Sequence, residues 1–115
     1  MAARRTGTTG YVVVLVTCGS RGEAGRIAQA VVTKRLAACV SVLDAPLRSI
    51  YRWQGKIERA REFLLLMKTS RKRLAALGAE IARLHNYDTP EFIALPIVAG
   101  SAKYLAWLAD NVRTS

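Results

Sequence analysis

The sequence predicts an α+β fold in which strands and helices follow one another as β-α-β-β-α-β-α. Three observations carry that expectation. The chain opens on the β-branched run "YVVVLVTCGS" at residues 11–20. Amphipathic stretches follow serines placed to cap helices. Two long strand-like segments flank the dipeptide Gln54-Gly55.

Tyr11–Val16 is apolar on both faces, the pattern of a central, buried strand. Ser20 stands three residues before Glu23, the spacing of a capping box that opens a helix. Apolar residues then recur at Ala24, Ile27, Ala28, Val31, Val32 and Leu36, with Arg26, Gln29, Lys34 and Arg35 on other faces. A second strand is expected over Ala37–Leu43. Asp44-Ala45-Pro46 interrupts it, and Pro46, lacking an N–H, marks a bulge or kink. The strand resumes over Leu47–Trp53, turns at Gln54-Gly55 and returns through Lys56–Thr69. That turn sets Trp53 opposite Lys56 and Tyr51 opposite Glu58.

Ser70 can cap the next helix, whose Leu74, Leu77, Ile81 and Leu84 form one stripe. Phe92–Val98 reads as a short strand, placed by Pro96 at a sheet edge or strand end. Ser101 can cap a closing helix with Tyr104, Leu105, Leu108 and Val112 inward. The first six elements match the split βαβ, ferredoxin-like plan, βαββαβ, with a C-terminal helix added. Residues 1–10 are expected as a flexible N-terminal tail and residues 11–115 as a single domain.

The long hairpin between the second and third strands has a further consequence. Its arms of about fourteen residues outrun a first strand of about six, which spans roughly 20 Å. The excess edge needs cover, and a second copy of the chain supplies it most simply, so a homo-oligomer is expected.

Composition narrows the function. The net charge is +10, but the thirteen arginines among eighteen cations are scattered along the chain, the pattern of solvated faces rather than of one anion-binding stripe. The longest apolar runs fall well short of the ~20 residues that cross a membrane, so no membrane partner is expected. Cys18 and Cys39 make no CxxC pattern and read as reduced thiols of a cytoplasmic protein. An RNA-recognition sheet stacks bases on aromatics in its central strands. Here those strands are aliphatic apart from Phe63, and no nucleic-acid partner is expected. There is no Ser-His-Asp order, no P-loop and no dinucleotide fingerprint, and His85 is the one histidine. An enzyme is not expected.

The segments "RLAACVSV", "IYRWQGKIE", "LLLMKTS", "HNYDTPEFIALPI" and "YLAWL", in this order, resemble the divalent-cation tolerance protein CutA family from about Tyr11 to Arg113. The resemblance implies a compact homotrimer, similar to that of PII signalling proteins, in which each long hairpin reaches onto its neighbours. It implies no enzymatic reaction. It also implies a link to divalent metals, Cu(II) in some members, with the metal not required for folding. Motif by motif, it places Cys39 at the family's strand cysteine and Tyr51, Trp53, Gly55 and Lys56 at the hairpin tip. Lys68 falls at the end of the third strand, His85, Tyr87, Pro90 and Glu91 on the His-Pro-Tyr-x-x-Pro-Glu stretch, and Tyr104 and Trp107 on the last helix. The chain departs from the pattern at Asn86, where proline is common. It departs also at Leu84 and Val16, where metal-binding members can carry histidine and cysteine.

Two readings stand for each candidate. His85 is a metal ligand, with Asp88 and Glu91 the acids nearby, or it closes a helix end. Cys39 is a small buried hydrophobe or a ligand. Cys18, beside the Gly19-Ser20 turn, is expected to be reachable by solvent and is the better soft-metal candidate. Tyr51, Trp53, Lys68 and Glu91 wall a cleft for a small anionic or zwitterionic ligand, or they pack a subunit interface with Lys68 paired to Glu91. Lys56, Tyr87 and Trp107 join that interface set. A PII-like small-molecule sensor and a trimeric scaffold are the alternative functions.

Overall fold

The computed structural model describes residues 9–113, ordered as five strands and three α-helices: β1 (Tyr11–Cys18), α1 (Arg21–Thr33), β2 (Cys39–Val42), β3 (Leu47–Trp53), β4 (Lys56–Ser70), α2 (Leu74–Leu84), β5 (Ile93–Pro96) and α3 (Ala102–Val112). The expected tail, residues 1–10, lies outside the described residues except for Thr9 and Gly10. Both are tied down: Thr9 donates its N–H and hydroxyl to the Ile97 carbonyl, and the Gly10 carbonyl accepts from the Arg71 N–H.

The strands form one antiparallel sheet in the order β2-β4-β1-β5, with β3 extending β4 beyond it. β1 and β2 both pair with β4, which lies between them. The expected second strand is two pieces. Val42 pairs with Leu65 and Leu47 with Glu62, so five residue steps on one side face three on the other. The surplus is the bulge that Pro46 foretold. β2 begins at Cys39 rather than Ala37, because Ala37 donates to the carbonyl of Val31 in α1. β5 is shorter than expected and, among the described residues, pairs only with β1, so Pro96 does lie on an edge strand there.

Pairing fixes which side chains share a face. Val12, Val14, Val16 and Cys18 of β1 lie level with Leu65, Met67 and Thr69 of β4. All are buried, packed against Ala24, Ile27 and Val31 of α1 and Leu77 and Ile81 of α2. The opposite face carries Val13, Leu15, Leu64 and Leu66, half-buried only. β1 is therefore not buried on both faces as its composition implied. The reason is that α3 covers just one end of that face, around Leu108, Val112, Ala38, Tyr11 and Ile97. For the same reason Tyr104 remains exposed instead of turning inward.

Local chemistry sets the element ends. The Ser20, Ser70 and Ser101 hydroxyls accept the N–H of Glu23, Arg73 and Tyr104, three residues on in each case. Ser70 caps a 3₁₀ turn, Arg71–Arg73, that leads into α2. Gln54 and Gly55 have φ of 50° and 80°, the left-handed pair that a two-residue hairpin turn requires. α1 ends in a motif the sequence does not signal. Arg35 takes φ 60°, its N–H bonds the Val32 carbonyl, and the Leu36 N–H reaches back to Val31. That is a Schellman cap with arginine where glycine is usual.

Glu80 ties the two core helices together, accepting from Lys34 at 2.7 Å and from Arg83 at 2.6 Å. Arg83 first, then Lys34, hold its carboxyl down at about 2, from an ordinary 4.5. A depressed carboxyl stabilises the fold above its unfolded value and loses that contribution as pH falls through the folded one. Glu80→Gln is therefore expected to lower the thermal midpoint at pH 7, by an amount that shrinks as pH falls from 4.5 towards 2. Equal midpoints for the two proteins at pH 7 would rule the tie out.

Candidate functional site

β1 ends where the chain after α2 crosses over it, and the crossing builds a buried polar network. His85 is the C-cap of α2, its backbone N–H bonded to the Ile81 carbonyl. Its ring is fully buried. Nε2–H donates to the Thr17 carbonyl at 2.7 Å, and Nδ1 accepts the Tyr87 N–H at 3.0 Å. Those two bonds define the neutral Nε2–H tautomer and leave no ring lone pair free.

Glu23 completes the network. As the third residue after Ser20 it was placed to reach back to the cap, and its carboxylate instead accepts from the Gly19 N–H at 3.3 Å and the Asn86 N–H at 2.8 Å. It also lies 3.3 Å from His85 Nδ1. A single buried carboxylate thus fastens the start of α1 to the chain after α2. Tyr87 continues from there. Its ring packs beside His85 with centroids 4.8 Å apart and covers Gly19, where a Cβ would stand 3.3 Å from the phenol oxygen. Its hydroxyl donates to Glu62 at 2.9 Å.

Beyond this network lies a cleft of about 700 Å³ under the β3–β4 hairpin. Tyr51, Trp53 and Tyr87 give it aromatic walls, and Glu62, Asp88 and Glu91 give it carboxylates. Glu62 is 7% exposed.

Of the residues singled out from the sequence, the structure brings Tyr51, Trp53, Tyr87 and Glu91 to this cleft. Lys68 does not belong with them. It pairs with Val13 well inside the sheet, and its Nζ donates to the Ser41 hydroxyl and the Leu66 carbonyl, so it makes no pair with Glu91 within the chain. Lys56 is at the hairpin turn opposite Trp53. Trp107 is exposed on α3, its ring centroid 5.4 Å from that of Tyr104. Sequence reasoning missed Glu23 and Glu62. The capping-box spacing pointed to Glu23, but nothing in the sequence showed that the chain after α2 would bring Tyr87 to Glu62.

The metal candidates do not form a ligand set. His85 has both nitrogens engaged. Cys18 is fully buried, contrary to the expectation of solvent access, because it continues the face of β1 that packs into the core with α1 and α2. Burial, then Glu23 and Glu62, push its thiol up to about 11. Cys39 is half-buried on the far sheet face, level with Lys68. Among the described residues no grouping of three or more His, Cys, Asp or Glu side chains is placed to hold a metal ion. A Cu(II) centre of His85, Cys18 and Cys39 within one chain does not fit this geometry.

Fold and cleft together define a small α+β domain with an antiparallel sheet and an acid-lined recess under a projecting hairpin. The family model described as "CutA1 divalent ion tolerance protein" matches residues 12–111, and the chain belongs to that family. It is 46% identical to the divalent-cation tolerance protein CutA of Thermus thermophilus over 86% of this chain and 95% of that one. It is 41% identical to the chloroplastic CutA of Arabidopsis thaliana over 92% of this chain, which spans 58% of the plant protein. The solved Thermus thermophilus structure superposes with a TM-score of 0.87 at 45% identity, covering 90% of this chain and 99% of that one.

Two outcomes test this site. Tyr87→Phe removes the only hydrogen-bond partner of the Glu62 carboxylate among the described residues and is expected to cost about 1–3 kcal/mol by urea unfolding at pH 7. Burial, then the bond to Glu62, raise the Tyr87 phenol above its ordinary 10.0, so the linked stability is complete below pH 10 and is lost as pH rises above it. The Phe variant is expected to lose that alkaline slope. Separately, Cys18 is expected to resist iodoacetamide at pH 8 until the protein is unfolded, with peptide mapping as the readout.

Proposed function

We propose that this protein is a non-enzymatic homotrimer of the CutA type, contributing to tolerance of divalent cations such as Cu(II). One observation carries the assembly: the sheet face turned away from α1 and α2 is apolar and incompletely covered. Ile93 and Leu95 of β5, level with Leu15 and Val13, are each 47% exposed. The outer edges of β5 and of the β3 ribbon have no strand beside them among the described residues. Exposed apolar faces and open edges mark interaction surfaces, and a second copy provides both kinds of cover at once.

Counting β2 and β3 as one bulged strand, we read the topology as the ferredoxin-like βαββαβ plan with α3 added, and the projecting hairpin as the arm that reaches a neighbour. Divalent metal enters through the relatives' names and is not required for folding; the core described above is hydrophobic and hydrogen-bonded throughout. A cytoplasmic location is supported by the two unpaired cysteines. A second reading, a PII-like small-molecule sensor, is favoured by the cleft beneath the hairpin.

Native mass spectrometry tests the assembly. The expected result is a trimer that survives EDTA and that Leu95→Lys, an exposed change, shifts to monomer. Complementation tests the function: in cells lacking their own copy, the wild-type chain is expected to restore growth on Cu(II) and the monomeric variant is not. A wild-type protein that stays monomeric at micromolar concentration would overturn the assembly, and failure to complement would overturn the tolerance role.

A further inference from the structure

We propose that the cleft under the hairpin binds a small organic cation, an amine or quaternary ammonium compound, through carboxylates and aromatic faces. The inference rests on the reading of that cleft as a small-molecule site and names the ligand class it takes.

The charge of the lining runs against the charge of the protein. The chain carries +10, yet no lysine or arginine lines the cleft, and its carboxylates are Glu62, Asp88 and Glu91. A phosphate or carboxylate entering there meets only like charge. The expected role of Lys68 in holding an anion does not survive its position elsewhere on the sheet.

Glu62 supplies an independent observation. It is 93% buried and lines the cleft, and its Oε2 takes the Tyr87 hydroxyl, its one hydrogen-bond partner among the described residues. It forms none of the ion pairs made among those residues. A buried carboxylate is costly unless paired, and a phenol donor compensates only part of that cost. A cation from outside the chain completes the pairing.

The walls say what kind of cation. Tyr51, Trp53 and Tyr87 present aromatic rings to the same space, and tryptophan and tyrosine faces attract ammonium groups within about 6 Å. A volume of about 700 Å³ lies in the range of roughly 300–1,000 Å³ that small-molecule sites occupy. A bare metal ion needs its ligands gathered closely, and the described carboxylates are not so grouped. A bulky cation spans what a metal ion cannot.

The test is isothermal titration calorimetry on the full chain in its native assembly. The probes are choline and putrescine, the neutral choline isostere 3,3-dimethyl-1-butanol, and the anion citrate. At least one amine is expected to bind, at least tenfold tighter than the neutral isostere, with affinity falling as salt rises. Glu62→Gln keeps an acceptor for Tyr87 while removing the charge and is expected to weaken binding at least tenfold. Trp53→Leu, at an exposed position, is expected to do the same with the thermal midpoint unchanged.

Binding of citrate with no amine binding would overturn the cation assignment and leave the small-molecule reading standing. Binding of none of the probes would overturn both, as would a crystal structure of the assembly with a neighbouring copy's lysine or arginine filling the cleft. Amine binding unaffected by Glu62→Gln and Trp53→Leu would place the cation elsewhere and overturn the proposal.

Discussion

β4 is fifteen residues long and β1 eight, and that mismatch shapes the rest of the molecule. β1 pairs with β4 from Phe63 to Ser70, so Lys56–Glu62 are held by β3 alone. At a rise of about 3.3 Å per residue, β4 by itself accounts for the 49 Å long axis. A lone two-stranded ribbon is marginal in water. Its base is therefore where added support matters, and that is where Tyr87 reaches Glu62. The projecting arm, the recess beneath it and the open strand edge are one consequence of one length difference.

The network at the base is closed by bonds between distant parts of the chain. Glu23 joins the start of α1 to Asn86, and His85 joins the end of α2 to the last turn of β1. Hydrogen bonds to buried charged groups are the stronger kind, and a half-satisfied network is worse than none. Glu23 meets that condition with two backbone donors. Glu62, with one phenol, does not. The difference separates a carboxylate that builds the fold from one left over for a ligand.

The sequence made the local features legible because each is written in neighbouring residues. Three capping serines, the Gln54-Gly55 turn, the interruption at Pro46 and the edge position of Pro96 all follow from rules spanning a few positions. What stayed hidden depends on elements far apart. Cys18 looked exposed beside a Gly-Ser turn, and it is buried because it continues the face of β1 that packs into the core with α1 and α2. Lys68 looked like a partner for Glu91 by family position, but it lies six residues along β4 from Glu62 and donates to Ser41 instead. The Arg35 cap was illegible for the opposite reason: the geometry is local, but the residue that usually announces it is absent.

The ion pairs divide the acids of the chain unevenly. Glu80, Asp44 and Asp110 pair with Lys34, Arg83, Arg21 and Arg113, and Glu23 is held by backbone donors. That leaves Glu58, Glu62, Asp88 and Glu91 without a cation among the described residues, and three of these four line the cleft. Exposed ion pairs contribute about 0–1 kcal/mol, so leaving most of the described arginines outside ion pairs forfeits little stability. Gathering three carboxylates around one recess between low-dielectric walls does more, because such walls focus the field. A basic surface and a negative hollow therefore present opposite fields at different places. The net charge of the chain should not be read as evidence about the hollow.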